Sequence, residues 1–160
     1  NPYGYKAFGD VMVFIFFGVV SVMGSYVLFV KSLSVDLLAP AIVIGFLSVS
    51  VLNLNNIRDM ESDRLSRKRT IALVLGFRGA KRYHSLLGLG ALIAVIFFLL
   101  SFESHWPYVI NLLTFFPLIL HYTAVWRFET AEKFDPQLKI VALCTFALAI
   151  SMSLTAIYFH

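Results

Sequence analysis

Five long apolar stretches constrain this chain more than any other feature of its sequence. A helix that crosses a bilayer needs about 20 consecutive, mainly apolar residues, and each stretch is close to that length. We therefore predict an all-α fold: a polytopic transmembrane helical bundle in which residues 1–160 form a single membrane domain. The predicted spans are 10–30, 37–54, 84–102, 107–125 and 136–159.

The composition supports a membrane protein rather than a water-soluble one. The chain is 59% hydrophobic and only 14% charged, whereas a soluble domain is about 45–50% apolar and about 25% charged. The net charge of +4 does not indicate a nucleic-acid partner, because few basic residues lie outside one loop region. We expect contact with membrane lipid and no nucleic acid. The single cysteine, Cys144, excludes an intramolecular disulfide.

Lysines and arginines predict the orientation of the spans. With five spans, the segments 1–9, 55–83 and 126–135 lie on one side of the membrane. Together with Lys139, that side carries all but one of the 13 lysines and arginines, and the exception is Lys31. The positive-inside rule places the basic side in the cytoplasm. We therefore expect an integral membrane protein whose C-terminus lies outside.

Charge is concentrated in residues 55–70, NNIRDMESDRLSRKRT, at the predicted cytoplasmic end of the second span. Asp59 and Asp63 are four positions apart, so a helix would place both on one face. Two neighbouring carboxylates favour Mg²⁺, which prefers oxygen ligands and is commonly shared with substrate phosphates. Neighbouring cations are suited to phosphate oxygens; they are Arg58, Arg64, Arg67, Lys68 and Arg69. The pattern indicates a diphosphate site at the membrane surface.

A solvated loop is the alternative interpretation of this stretch, with arginines that only meet anionic lipid head groups. That interpretation does not account for Asn55, Asn56, Asp59 and Asp63 beside the apolar boundary. Acidic residues contribute little to topology, and polar groups at membrane depth are costly and usually functional.

The stretch resembles the second aspartate-rich motif of the UbiA-type intramembrane prenyltransferases. The family pattern is N-N-x-R-D-x-x-x-D-R-x-x-G-K-x-T, followed by a leucine-glycine pair and a basic-Tyr-His sequence. The matching residues are Asn55, Asn56, Arg58, Asp59, Asp63, Arg64, Lys68, Thr70, Leu75, Gly76, Arg82, Tyr83 and His84. The first residues, NPYGYKAFGD, resemble the Pro-Tyr-Gly-Tyr loop of the same family. Within the family, the similarity is greatest to the naphthoate polyprenyltransferases of menaquinone synthesis.

This resemblance implies transfer of a polyprenyl group from its diphosphate to an aromatic acceptor, 1,4-dihydroxy-2-naphthoate, in the bacterial inner membrane. It implies that Asp59 and Asp63 are catalytic and bind Mg²⁺ together with Asn55. The residues expected to bind the diphosphate are Arg58, Arg64, Lys68 and Arg69. The position of His121 and Tyr122 near the cytoplasmic end of the fourth span makes them candidates for contact with the acceptor, and the motif match adds His84; packing within the bundle is the alternative role. Tyr3, Tyr5 and Lys6 are candidates for covering the diphosphate, and a lipid anchor is the alternative for them.

The chain departs from the family pattern in three respects. Arg67 stands where the family usually has glycine, and we expect a changed loop backbone. Val74 stands where arginine is frequent, and we expect one phosphate contact or surface contact fewer. Family members have nine spans and a first Asn-Asp-x-x-Asp motif, whereas this chain has five predicted spans and no such motif. We therefore expect the C-terminal half of the enzyme, inactive alone, with the missing N-terminal half as its partner.

Two further functions stay open. One is another aromatic or quinone prenyltransferase of the same superfamily, which acceptor preference would distinguish. The other is a non-catalytic membrane protein, such as a transporter fragment or a partner subunit, which would not release diphosphate in a Mg²⁺-dependent manner. Two structural expectations complete the sequence analysis: an interhelical hydrogen bond from Asn111, and Asp135 as the N-cap of the last span.

Overall fold

The computed structural model describes residues 8–159, and this part of the chain is helical with no strand. Short 3₁₀ turns, Val35–Leu37 and Ala131–Phe134, precede the second and the last long helix. Five helical segments are long and apolar enough to cross a membrane, which confirms the predicted fold class. The helices are α1, Gly9–Val30; α2, Leu38–Arg58; α3, Met60–Leu65; α4, Ile71–Leu99; α5, Trp106–Val125; and α6, Asp135–Phe159.

Helix α1 is π-helical from Phe14 to Gly24 and crosses α2 at close range. The two helices meet at Gly18 and Gly45, where a Cβ atom on Gly18 would lie 2.7 Å from the Cα atom of Gly45. The Phe14 ring packs edge-on against the Phe46 ring beside this crossing, with centroids 5.1 Å apart. Small residues at a helix crossing allow this close backbone approach, as is common in membrane bundles.

Helix α2 occupies the centre of the bundle. It packs against α1, α4 and α6, while α5 packs against α4 and α6. Large apolar side chains also cover the outer surface, as on α1, where Leu28 and Phe29 are exposed. Outward-facing apolar side chains suit contact with lipid. The largest fully buried apolar side chains are Phe115, Phe134, Leu47, Leu54, Ile57, Leu99, Leu118 and Leu148.

Contacts between the helix termini show that neighbouring spans alternate in direction. At one end of the bundle, Arg58 Nη1 donates to Asp135 Oδ1 at 2.9 Å, and Lys81 Nζ donates to the Phe128 carbonyl oxygen at 2.8 Å. We call this the motif end, because residues 55–70 lie there. This arrangement agrees with the predicted grouping of the basic segments on one side.

Asn111 makes the predicted interhelical hydrogen bonds between α5 and α6. Its Nδ2 atom donates to Thr155 Oγ1 at 2.8 Å, and its Oδ1 atom accepts from Ser151 Oγ at 2.9 Å. All three side chains are buried. The expectation from the sequence is therefore confirmed, since a buried amide in an apolar bundle requires polar partners.

The third span begins much earlier than predicted. We expected 84–102, but α4 starts at Ile71 and ends at Leu99. Thr70 caps its N-terminus, because Thr70 Oγ1 accepts from the Leu73 amide at 3.2 Å. Gly76 interrupts the regular helix with φ 68° and ψ 170°, a backbone conformation open essentially only to glycine. The basic residues after Gly76 therefore lie on the helix and not in a loop.

The other helix boundaries lie closer to prediction. The predicted spans 10–30, 107–125 and 136–159 agree with α1, α5 and α6 to within a residue. Helix α2 runs on to Arg58, beyond the predicted end at 54. Asp135 is the first residue of α6 and not its N-cap. Its carboxylate instead accepts a hydrogen bond from Arg58, and a 3₁₀ turn leads directly into the helix.

Candidate functional site

The end of α2 brings Asn55, Arg58 and Asp59 together. Arg58 Nε donates to Asp59 Oδ1 at 2.8 Å, and Arg58 Nη2 donates to Asp59 Oδ2 at 3.1 Å. The same Nη2 atom donates to Asn55 Oδ1 at 2.7 Å. Paired bonds between a guanidinium and a carboxylate fix the relative orientation of both groups. Arg58 therefore organises three of the predicted site residues into one cluster.

The electrostatic environment keeps the Asp59 carboxylate ionised. Hydrogen bonds from Arg58 lower the pKa of Asp59 below its ordinary value, and the charge of Lys68 and the side chain of Asn55 act in the same direction. Partial burial opposes this effect without overcoming it. A charged carboxylate at neutral pH is the form that binds a cation.

Asp63 lies one helical turn beyond Asp59. Its amide donates to the Asp59 carbonyl oxygen at 2.8 Å, so i to i+4 bonding continues although Asp59 departs from regular helix geometry, with ψ 9°. The Asp63 side chain is nearly buried, and Lys68 Nζ lies 3.2 and 3.3 Å from its two oxygens. Each acid of the predicted pair therefore has its own cationic partner.

A tight C-terminal cap on α3 places Lys68 against Asp63. The Lys68 amide donates to the Asp63 carbonyl oxygen at 3.0 Å, and the Arg67 amide donates to the Arg64 carbonyl oxygen at 3.2 Å. These two bonds form a Schellman motif, whose residue in the left-handed conformation is usually glycine. Arg67 adopts that conformation, with φ 56°. The arginine thus adopts the left-handed backbone that glycine favours.

The remaining predicted diphosphate ligands are displayed on the surface. Arg64 and Arg69 are exposed, and neither side chain forms a hydrogen bond or ion pair within residues 8–159. Val74, the second departure from the family pattern, is also exposed, at 72%. The predicted contacts Tyr3, Tyr5 and Lys6 lie outside the described residues.

The predicted acceptor contacts form a second cluster in the core of the bundle. His84 Nε2 lies 2.8 Å from His121 Nε2, and the rings of His84 and Tyr122 have centroids 4.7 Å apart. The Tyr122 hydroxyl lies 2.9 Å from Ser50 Oγ. Both histidines are buried. The structure brings these three residues together, but no hydrogen bond in the described chain joins them to Asn55, Arg58 or Asp59.

An apolar groove runs along α1, α2 and α6 and reaches Asn55 at the motif end. Its volume is about 440 Å³. The walls are mostly hydrocarbon, and the polar residues of the lining are Ser48, Asn55 and Thr145. The lining residues are Val13, Phe17, Ser48, Val51, Leu52, Asn55, Leu138, Ala142 and Thr145. The groove therefore joins a lipid-like channel to the Arg58 cluster.

Several site residues could not be assigned from the sequence. Asp135 bonds to Arg58 from another helix. Lys81 is buried and donates to the carbonyl oxygens of Phe128 and Trp126. Tyr83 donates to Asp10 Oδ2 at 3.0 Å and so connects α4 to α1. Tyr83 and Asp10 carried a sequence signal, because both belong to stretches that resemble the family.

The oxygen donors of the motif end suit a hard divalent cation. Asp59, Asp63 and Asn55 offer carboxylate and amide oxygens, the atoms that Mg²⁺ prefers. No group of three or more histidine, cysteine or acidic side chains suited to a metal occurs among residues 8–159. A pair of carboxylates is nevertheless sufficient where substrate phosphates and water supply the other ligands. The donor set thus fits Mg²⁺ shared with a phosphorylated substrate.

Fold and site together define a polytopic membrane protein with paired acids and clustered cations at one end of a helical bundle. The chain belongs to the UbiA prenyltransferase family, whose family model matches residues 1–144. Two bacterial relatives carry the name 1,4-dihydroxy-2-naphthoate octaprenyltransferase. The Escherichia coli protein is 44% identical over 110 residues, which cover 68% of this chain and 36% of the relative. The Haemophilus influenzae protein is 32% identical over 154 residues, covering 96% of this chain and 50% of the relative.

A third relative is the human protein named UbiA prenyltransferase domain-containing protein 1. It is 40% identical over 72 residues, which cover 45% of this chain and 21% of the relative. The chain thus spans half or less of the length of these relatives. No solved structure matches the chain.

Proposed function

We propose that this chain carries the diphosphate-binding half of an enzyme that transfers a polyprenyl group to 1,4-dihydroxy-2-naphthoate in menaquinone synthesis. The observation that carries the proposal is the Asn55–Arg58–Asp59 cluster, with Asp63 and Lys68 one turn away, at the mouth of an apolar groove. The names of the bacterial relatives support this acceptor and this reaction.

The cations of the motif end bind the diphosphate in this mechanism. Arg64 and Arg69 are exposed and would contact phosphate oxygens first. Arg58 and Lys68 are bonded to Asp59 and Asp63 and would shift part of their bonding to the substrate. Fixed positive charge aimed at the departing diphosphate favours cleavage of the allylic C–O bond, because negative charge develops on that oxygen.

Asp59, Asp63 and Asn55 are the residues that would hold Mg²⁺. The bound ion would neutralise charge on the diphosphate as a Lewis acid. Arg58 and Lys68 keep the two carboxylates compensated within the protein, so that the acids do not repel each other across one helical turn. The acids would therefore bind the cation, and Arg58 and Lys68 would bind the substrate, at the same motif end.

The apolar groove would hold the polyprenyl chain. Its hydrocarbon walls would keep water from the first carbons of the chain, and this would protect an allylic cation from hydrolysis. Diphosphate leaves the prenyl group first and takes the electron pair of the C–O bond. The allylic carbon then bonds to the naphthoate ring in place of the carboxylate, which leaves as carbon dioxide while its C–C electron pair returns to the ring. The His84–His121–Tyr122 cluster is our candidate for binding the acceptor. Because these side chains lie in the core of the bundle, the naphthoate ring must enter the core to contact them.

The basic side of the protein is cytoplasmic in this proposal, and the membrane is the bacterial inner membrane. The support is the positive-inside rule together with the motif end, which gathers residues from the basic segments 55–83 and 126–135. The C-terminus would then lie outside.

The curated relatives are longer than this chain, and we propose that their additional N-terminal residues complete the substrate site. We propose that the 160-residue chain alone does not turn over and that an N-terminal half is its partner.

The test is product formation in lipid from Mg²⁺, a prenyl diphosphate and dihydroxynaphthoate. We expect no prenylated product from the chain alone, and some product when a separately expressed N-terminal half is added. Robust turnover by the chain alone would overturn this part of the proposal, and diphosphate release without prenylated naphthoate would overturn the acceptor.

A further inference from the structure

Both carboxylates of the candidate site already have cationic partners within the protein. Arg58 Nε lies 2.8 Å from Asp59 Oδ1, and Arg58 Nη2 lies 3.1 Å from Asp59 Oδ2. Lys68 Nζ lies 3.2 and 3.3 Å from the two oxygens of Asp63. All four carboxylate oxygens therefore accept a hydrogen bond from a cationic side chain.

The two ion pairs differ in their access to solvent. The side chains of Arg58 and Asp59 are each 32% exposed, so ions from solvent can reach this pair. The Asp63 side chain is only 10% exposed, whereas that of Lys68 is 40% exposed. An ion that used both Asp63 oxygens would consequently have to displace the ammonium group of Lys68.

Arg58 has other partners that persist when it leaves Asp59. Its Nη1 atom donates to Asp135 Oδ1 at 2.9 Å, and its Nη2 atom donates to Asn55 Oδ1 at 2.7 Å. A guanidinium group carries five N–H donors, so it can take a phosphate oxygen while these two contacts remain. Departure from Asp59 therefore does not leave the charge of Arg58 without a carboxylate.

Charge balance decides which ligands this arrangement accepts. A divalent cation alone would meet Arg58 and Lys68 at the oxygens it needs, and like charges repel. A diphosphate alone would draw the two cations away and leave Asp59 and Asp63 uncompensated beside further negative charge. When both ligands arrive, the acids compensate the metal, and the cations compensate the phosphate oxygens. Binding of each ligand is thus favoured by the other.

We propose that Arg58 and Lys68 are internal counter-ions that make the divalent cation and the diphosphate bind together, and that neither ligand displaces these pairs alone. The inference rests on the proposed function, because it takes a prenyl diphosphate as the substrate. It adds an exchange of partners, in which each protein cation leaves its acid as it takes a phosphate oxygen. The coupling is reciprocal, so each ligand raises the affinity for the other by the same factor.

The test is nuclear magnetic resonance, in lipid, of a protein of the relatives' full length that contains this chain. Arginine ¹⁵N and aspartate ¹³C labels report on Arg58 Nε and on the Asp59 carboxyl group, and Arg58→Gln and Asp59→Asn assign the signals. Three additions are compared at equal concentrations: Mg²⁺, inorganic diphosphate, and both together. We expect both signals to move to a new position only when the two ligands are present together.

Two results would overturn the exchange. One is displacement of Arg58 from Asp59 by Mg²⁺ alone, and the other is an intact Arg58–Asp59 pair in the presence of both ligands. Formation of prenylated naphthoate by the same sample is measured in parallel. An active enzyme without the joint shift would retain the proposed function and lose the exchange, whereas an inactive enzyme would contradict the proposed function itself.

Variants separate the exchange from a simple loss of positive charge. Arg58→Gln frees the Asp59 oxygens, and we expect Mg²⁺ alone to shift the Asp59 signal at a concentration at least about 5-fold lower. Arg67→Gln is the matched control, because it removes one positive charge from the same stretch and the exposed Arg67 side chain makes no hydrogen bond or ion pair within residues 8–159. We expect little change from it. Equal effects of the two substitutions would contradict the proposal.

Lys68→Gln gives a second readout at the other acid. It removes the charge that lies on both Asp63 oxygens, and we expect Mg²⁺ alone to shift the Asp63 carboxyl signal. An Asp63 signal that responds to Mg²⁺ equally in the unmodified protein and in Lys68→Gln would show that Lys68 does not compete with the metal.

Discussion

Arg58 Nη1 lies 2.9 Å from Asp135 Oδ1, although 77 positions separate the two residues. The ion pair connects the end of α2 with the start of α6, and the same guanidinium bonds to Asn55 and Asp59. The side chain of Asp135 is 70% exposed, so the pair adds only about 0–1 kcal/mol to stability. Its main effect is to orient Arg58 within the site.

The first prediction concerns acid. Arg58 lowers the pKa of Asp59 in the folded protein, so the folded state binds this proton less readily than the unfolded state. The stability that Asp59 contributes is thus present above the ordinary aspartate pKa of about 3.9, and it is lost as the pH falls through the lower folded value. A ¹³C carboxyl titration should give a midpoint below the ordinary value, and Arg58→Gln should raise it.

The control for this titration is Arg82→Gln. Arg82 is exposed and lies on α4, and it is not among the groups that shift the pKa of Asp59. We expect no change in the Asp59 midpoint. The same midpoint in the Arg58→Gln variant and the unmodified protein would refute the dominant role of Arg58.

Arg67→Gly should stabilise the protein. Arg67 holds φ 56° at the cap of α3, and a residue with a side chain pays about 1 kcal/mol or more for this conformation. Glycine loses more backbone entropy on folding, so we expect a net gain of up to about 1 kcal/mol, measured by thermal unfolding in detergent. Arg69→Gly is the control: Arg69 does not have positive φ, and we expect no gain. A less stable Arg67→Gly variant would show that the arginine side chain stabilises the loop.

Lys81→Met should destabilise the protein. Lys81 Nζ donates to the Phe128 carbonyl oxygen at 2.8 Å and lies 4.9 Å from the centroid of the Phe77 ring. Methionine keeps most of the apolar volume but leaves the carbonyl after α5 without this donor, which costs about 1–3 kcal/mol. Arg82→Met, at the adjacent exposed position, should change the unfolding temperature little. Equal effects of the two substitutions would exclude a specific role for Lys81.

Cysteine labelling tests the proposed orientation. In a Cys144→Ser background, Ser66→Cys should react with an impermeant reagent from the cytoplasmic side, because it lies on the basic side. Ser32→Cys, in the exposed turn after α1, should react from the other side. Labelling of both positions from one side would contradict the alternating arrangement of α1 and α2.

The apolar spans were predictable because their length and composition decide them. The helices α1, α5 and α6 need about 20 apolar residues to cross a bilayer, and a helix satisfies the backbone hydrogen bonds within each segment. Asn111 was predictable for a related reason, since its amide must find partners in an apolar bundle. Helix existence thus follows from local sequence.

The start of α4 was not predictable from local charge. Arg78, Lys81 and Arg82 suggest a loop by composition, yet Lys81 is buried because the end of α5 supplies carbonyl oxygens to it. Asp135 was misassigned as an N-cap for the same kind of reason: its partner, Arg58, lies on a distant helix. The C-terminal cap of α3 at Arg67 was also not predictable from the sequence, since arginine rarely adopts the left-handed conformation. Contacts with distant helices therefore determine the roles of Lys81 and Asp135.

The central claim is that Asp59 and Asp63 form a Mg²⁺-dependent diphosphate site for prenyl transfer. The most direct measurement is the rate of prenylated naphthoate formation, as a function of Mg²⁺, by a protein of the relatives' full length that contains this chain. Asp59→Asn and Asp63→Asn should each lower kcat by about 100-fold or more while membrane insertion is retained. Asp36→Asn, in the turn before α2, should keep its activity. Near-normal Mg²⁺-dependent turnover in both motif variants would contradict the account.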